Sequence, residues 1–202
     1  MMHTQITTQA KIDFISRWIG EYLKDNSLKS LIIGVSGGID SAVVSTLCAM
    51  TGVPTFVVSM PIRQISTQHD LSLTQCWWLK GRYPNVTHIN KDLTSIFEQF
   101  EDTFASEKDD LAFANTRARL RMTALYQIAQ FNKGLVVGTG NKVEDFGAGF
   151  FTKYGDGGVD ISPIADCMKS EVWDMGKELG INQAIIDAEP TDGLWEDGRV
   201  DT

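Results

Sequence analysis

The chain has 202 residues, 43% hydrophobic and 22% charged, the balance of a globular protein long enough to bury a proper core. A formal net charge of −8 argues against bulk binding to nucleic acid or to a membrane surface, so a polyanionic ligand has to be held by local groups and metal. Cys48, Cys76 and Cys167 are too widely spaced for a zinc pattern, and an odd count fits a reducing compartment, with all three as small buried hydrophobes.

The N-terminus shows no basic segment followed by an apolar run, and no stretch approaches membrane length, so the expected address is the cytoplasm. Over residues 8–25, Ile12, Ile15, Ile19, Tyr22 and Leu23 fall at helical spacing and predict an amphipathic entry helix. Leu31 to Val35 is a short apolar run of β type. It leads directly into Ser36-Gly37-Gly38 and a predicted helix over 41–51, closed by Gly52 with Pro54 just beyond. A Gly-rich turn feeding a helix N-terminus is an anion site, and phosphate is the usual anion. The Walker pattern is excluded, because no lysine precedes Ser41. Asp40 stands there instead, and a carboxylate beside phosphates calls for a divalent metal between them. This SGGxDS turn resembles the pyrophosphate-binding loop of the ATP pyrophosphatase superfamily, whose members activate a carbonyl or carboxylate oxygen by adenylation.

Thr55 to Met60 is a second β-rich run, so strand, helix and strand form a βαβ unit with parallel neighbours. Arg63 and Gln64 follow at the carboxyl end of the second strand, where open parallel sheets bind ligands, and are candidates for nucleotide contact. Thr67 to Lys80 predicts a helix whose adjacent Trp77 and Trp78 cannot both face the core. Val86 to Ile89 predicts a third strand, in which His88 reads as structural. Residues 92–110 predict an exposed amphipathic helix and a charged turn.

The helix predicted over 111–132 carries a stripe of Leu111, Ala114, Ala118, Leu125 and Ala129, with Arg117 and Arg121 on one edge and Arg119 on the other. Leu135 to Val137 is a further buried strand, entering Gly138-Thr139-Gly140-Asn141-Lys142-Val143-Glu144. Small residues, a hydroxyl and a carboxylate recur here as at 36–41. If the two strands are neighbours, Asp40 and Glu144 can share one magnesium ion. Phe146 to Asp160 interleaves glycine with aromatics and reads as a long binding loop. Lys169-Ser170-Glu171 opens a helix with Val172, Met175 and Leu179 inward, and Pro190 to Trp195 forms a turn-rich tail. Without repeats or low-complexity linkers, residues 1–202 read as one α/β domain, an open doubly wound parallel sheet with helices on both faces.

Taken together, GVSGGIDSA at 34–42, ARLRM at 118–122, GTGNKVE at 138–144, FFTKYGDGGVDISP at 150–163 and PTDGLW at 190–195 resemble the NAD synthetase family in matching order. The resemblance implies ATP-dependent adenylation of the nicotinate carboxylate of deamido-NAD, then displacement of AMP by ammonia. It also implies that Gly34, Val35, Ser36, Gly37, Gly38, Ile39, Asp40 and Ser41 bind ATP together with Thr139, Lys169 and Thr191. Asp40 and Glu144 become the magnesium ligands, Arg119, Lys153 and Asp160 bind deamido-NAD, and Asp40 and Lys169 take catalytic roles at the phosphates. On chemical grounds rather than by resemblance, Asp160 is the carboxylate expected to take the proton of ammonia. A homodimer is implied as well. Family members generally continue past the DGLW segment, whereas this chain stops at Thr202, so it is expected to lack a C-terminal portion. Two other readings stay open: another ATP pyrophosphatase, such as a GMP-synthetase-like or tRNA-modifying enzyme, and a nucleotide-binding homologue without turnover.

Overall fold

Three near-continuous apolar runs, at 31–33, 56–58 and 135–137, form strands covered on both faces, whereas the edge strand at 86–90 is largely polar and buries only Val86. The computed structural model describes residues 6–64, 66–148 and 151–188. In chain order the elements are α1 (Thr8–Asp25), β1 (Ser30–Gly34), α2 (Ile39–Met50), β2 (Thr55–Ser59), α3 (Ser66–Arg82), β3 (Val86–Asn90) and α4 (Thr94–Thr103). A 3₁₀ turn at Ala105–Glu107 precedes α5 (Asp110–Phe131) and β4 (Gly134–Val136). A π-helical turn at Val143–Ala148, α6 (Lys169–Leu179) and α7 (Gln183–Ile186) follow.

The strands pair in parallel in the order β3-β2-β1-β4, with Leu31 opposite Thr55 and Ile32 opposite Val136. The chain therefore steps outward from β1 through β2 to β3, then returns to the other side of β1. That reversal makes the carboxyl ends of β1 and β4 the topological switch point, the crevice where open α/β sheets bind ligands. Beyond β4, Val137 bridges Ile161 in parallel, and the Gly138 N–H donates to the Ile161 carbonyl at 2.8 Å.

Alternation along the strands separates two apolar layers. Leu31, Ile33, Leu135 and Val137 pack with α1, α2, α6 and α7, while Val57 packs with Cys76 and Leu79 of α3. Ile32, Val58 and Val136 face the opposite side, against Phe97 of α4 and Phe113, Met122 and Leu125 of α5. The doubly wound α/β architecture is thus as expected. Trp77 is exposed whereas Trp78 lies against Tyr83, so only one of the pair turns outward.

Two expectations are corrected. Leu111 sits in solvent at 60% exposure, and the buried face of α5 instead takes in Phe113, Arg117 and Met122. The cause is α4: Phe97 meets the Phe113 ring edge-on at 6.2 Å and takes the Arg117 guanidinium at 4.5 Å from its centroid. The segment read as a loop from Phe146 begins inside the π-helical turn that ends at Ala148. Among the described residues no helix is long and apolar enough to cross a membrane.

Candidate active site

The turn after β1 is built as its composition demands. Gly37 has φ of +97°, and a Cβ there would stand 2.7 Å from the Gln68 carbonyl oxygen, so only glycine fits without strain. Ser36 and Ser41 fasten the turn to itself: the Ser36 N–H donates to Ser41 Oγ at 3.2 Å, and Ser41 Oγ donates to the Gly38 carbonyl at 3.0 Å. Ser72 Oγ donates to the Val35 carbonyl at 2.6 Å, which fixes the turn on α3. Ile39 then opens α2, with Asp40 in its first turn. The first N–H groups of a helix lack intrahelical partners, so those of Ile39, Asp40 and Ser41 at the start of α2 can receive phosphate oxygens, while the N–H groups of Ser36 and Gly38 are spent on fastening the turn.

Because β1 and β4 are neighbours, the second loop rises beside the first. Lys169, at the start of α6, places its Nζ between two carboxylates, 2.5 Å from Asp40 Oδ2 and 2.9 Å from Glu144 Oε1. The carboxylates are therefore no further apart than two hydrogen-bond lengths. Burial pushes the Asp40 carboxyl above its usual range; Lys169 opposes that shift and Glu144 adds to it. For Lys169 burial works against the ammonium, but the contacts with Asp40 and Glu144 outweigh it and hold its pKa above the ordinary lysine value. A centre with two carboxylates and one ammonium retains a negative surplus and favours a further cation.

Asp40 and Glu144 could hold a hard divalent ion, since each offers carboxylate oxygen to one point. Among the described residues no group of three or more His, Cys, Asp or Glu gathers. The remaining ligands would have to be phosphate oxygens and water, an ordinary magnesium environment. Thr139 lies half-buried in the same loop, between β4 and Asn141. Asn141 was passed over in the sequence except as a loop member. It is fully buried and donates to Asp40 Oδ1 at 2.9 Å. The signal available was local: an Asn three residues before a Glu, at the mouth of a helical turn, is a capping pattern.

The three residues assigned to deamido-NAD gather along α5. Arg119 Nε donates to the Lys153 carbonyl at 3.1 Å, and Lys153 Nζ lies 5.2 Å from the Tyr154 ring centroid. Asp160 is heavily engaged: Oδ2 accepts the Val136 N–H at 2.7 Å and Oδ1 accepts the Tyr126 hydroxyl at 3.0 Å. It thus ties the 151–160 loop to both the sheet edge and α5, a role its sequence position did not reveal. Thr152 Oγ1 donates to Asn115 Oδ1 at 2.6 Å, laying the same loop along the helix. An open cavity of about 560 Å³ lies beside it, lined by Met122, Tyr126, Gln130 and Tyr154 among others.

Other readings are settled by contacts. Arg63, a candidate for nucleotide contact, instead lies on α4, 2.8 Å from Glu101 and 3.3 Å from Glu98. Its positive φ of +46° and its contact with the Phe97 ring turn it that way. His88 is structural: its Nε2 is 2.9 Å from the buried Ser59 hydroxyl and its ring meets Trp77 edge-on. All three cysteines are buried; burial raises the Cys76 thiol to about 12 and the Cys167 thiol to about 11, leaving neither a ready nucleophile. Thr191 and the 190–195 segment lie outside the described residues.

The NAD synthase family model matches residues 11–202. An NH(3)-dependent NAD(+) synthetase from Alkaliphilus metalliredigens is 38% identical over 95% of this chain and 79% of its own length. One from Mesoplasma florum is 37% identical over 92% and 75% respectively. Among solved structures, an NMN synthetase from Francisella tularensis superposes with a TM-score of 0.90 at 32% identity, covering 96% of this chain and 79% of that one. An NH3-dependent NAD synthetase from Campylobacter jejuni gives 0.81 at 31% identity, over 89% and 76%. Matched along nearly all its length by sequence and by fold, the chain belongs to the NAD synthase family.

Proposed function

We propose that the protein makes NAD by ATP-dependent amidation of deamido-NAD, with ammonia as nucleophile and AMP and pyrophosphate as products. One observation carries this reading: Asp40 and Glu144, from the tips of adjacent strands, meet at the ammonium of Lys169 beside the 36–41 turn. A carboxylate is a poor electrophile, so its oxygen must first displace pyrophosphate from the α-phosphorus of ATP. Ammonia nitrogen then attacks the acyl carbon, the bond to AMP breaks, and one proton is released. The first step brings two anions together, and preorganised positive charge at the phosphates lowers that barrier most.

Each group has a defined task. Residues 34–41 and Thr139 receive the triphosphate. Asp40 and Glu144 would hold magnesium, which when bound neutralises phosphate charge and orients the leaving pyrophosphate. Lys169 stays protonated and moves its ammonium onto the α-phosphate oxygens as charge develops there. Arg119 and Lys153 hold the deamido-NAD, and Asp160 keeps their loop seated while it offers a proton acceptor near the incoming ammonia. Thr191 belongs to the phosphate set on family resemblance. The same resemblance supports a homodimer; the absence of repeats and low-complexity linkers supports a single domain across residues 1–202, and three free, buried cysteines fit work in the reducing cytoplasm.

Incubation with magnesium, ATP, deamido-NAD and ammonium tests the proposal. NAD formation with equal AMP release is the expected result. Nucleotide binding without turnover, or turnover only with an acceptor unrelated to pyridine nucleotides, would sink it. The likeness to an NMN synthetase favours one second acceptor, the nicotinate mononucleotide, which is to be run in parallel.

A further inference from the structure

We propose that Asn141 is a positioning residue that sets the spacing of Asp40 and Glu144, and with it the size of ion they accept; this rests on the functional reading above. The side chain is fully buried at 0% exposure. Its Nδ2 donates to Asp40 Oδ1 at 2.9 Å, while its Oδ1 accepts the Val143 N–H at 2.9 Å and the Glu144 N–H at 3.2 Å. The amide orientation follows from these partners. Reversed, it would set oxygen against a carboxylate and an NH₂ group against two N–H donors. One planar group therefore grips the first turn of α2 and the start of the π-helical turn that carries Glu144.

The consequence lies in what each carboxylate has left. Asp40 Oδ1 is occupied by Asn141, so Oδ2 is the oxygen turned towards Lys169 and towards any ion. Glu144 has its backbone N–H fixed by the same amide, which sets where its side chain begins. The neighbouring Lys142 N–H donates to the Cys167 carbonyl at 3.0 Å, so this loop is also tied to the lead-in of α6 and Lys169. Groups that orient carboxylate ligands typically govern metal affinity ten- to a hundredfold (~10–100). Magnesium demands near-ideal geometry, whereas calcium tolerates irregular and larger sites. Loosening the spacing should cost magnesium more than calcium.

The test uses the full chain with α,β-methylene-ATP, which cannot release pyrophosphate, and titrates Mg2+ and Ca2+ separately by calorimetry. Asn141→Ala is expected to weaken Mg2+ about tenfold or more and Ca2+ by less. Asn141→Ser keeps a hydroxyl that can cap the two N–H groups but cannot reach Asp40. It is expected to fold as the parent does and to show the same selective loss. Unchanged affinities, equal losses for both ions, or a serine variant that matches the parent would overturn the proposal. If the parent binds the analogue and magnesium while the variants match it, only Asn141 loses its role. If the parent binds neither, the functional reading fails first and this inference with it.

Discussion

Asp40, in the first turn of α2, and Glu144, in the π-helical turn after β4, hold the same Lys169 ammonium at 2.5 and 2.9 Å. This shared contact brings two Gly-rich loops into one centre, and the first prediction comes from it. Asp40→Asn preserves shape and the Asn141 contact but removes the charge. Turnover is expected to fall by about a hundredfold or more, the scale of losing one electrostatic partner of a transition state. Glu144→Gln, with 40% of its side chain exposed, should instead raise the magnesium requirement with a smaller drop in kcat. Steady-state kinetics over a magnesium series, with circular dichroism to establish folding, separates the two.

Lys169→Met leaves two carboxylates facing each other without their cation. The side chains are 16–40% exposed, so the penalty should be smaller than the ~3–5 kcal/mol of breaking a fully buried pair. Added magnesium should raise the melting temperature of this variant more than that of the parent, because the ion replaces the lost charge between Asp40 and Glu144. Thermal melts at millimolar magnesium read this directly, and an equal response in both proteins would count against the shared centre.

Gly37 and Gly52 both have positive φ, +97° and +74°, but only Gly37 is crowded. Gly52→Ala meets nothing within 4 Å and should cost about 1–2 kcal/mol of backbone strain alone. Gly37→Ala adds a Cβ 2.7 Å from the Gln68 carbonyl, so the turn or α3 must shift. It should raise the KM for ATP by tenfold or more (~1.4 kcal/mol per decade) while Gly52→Ala leaves it unchanged.

Tyr126 carries a pH signature. Burial, then its hydrogen bond to Asp160, raises its phenol to about 12. A folded value above the unfolded one of about 10 means that the contribution to stability is complete below pH 10 and lost as pH rises through 12. Denaturant melts between pH 9 and 12 should show this loss in the parent and not in Tyr126→Phe (about 10–12 being the titration window). At neutral pH the phenylalanine variant should be less stable by about 1 kcal/mol, the net worth of one hydrogen bond.

Much of this architecture was legible from residue order. The helical stripes and β-type runs marked α1, α2, α3, α5 and the four strands within one or two residues, and the start of α6, because burying an apolar face imposes a period that can be counted; the stretch read as a helix and charged turn over 92–110 is instead a shorter α4 ending at Thr103 and a 3₁₀ turn. The 36–41 turn was equally plain, since glycine and serine at a strand-to-helix junction meet a local backbone requirement. Arg63 and Arg117 were not legible in this way. Each is held against α4, near the Phe97 ring, and no spacing in the chain says which helix will stand beside which arginine.

Residue order is enough to fix the set of elements, the phosphate-type turn, and the expectation that Asp40 and Glu144 could meet if their strands were neighbours. Tertiary structure alone decided the meeting. The order β3-β2-β1-β4 puts β4 beside β1, and that adjacency lets Asn141 reach Asp40 and Lys169 reach both carboxylates, while the return of the chain along β4 lets Asp160 reach Val136 and Tyr126. Such contacts join residues far apart in the chain, so their energies depend on three-dimensional proximity and leave no periodic trace along it.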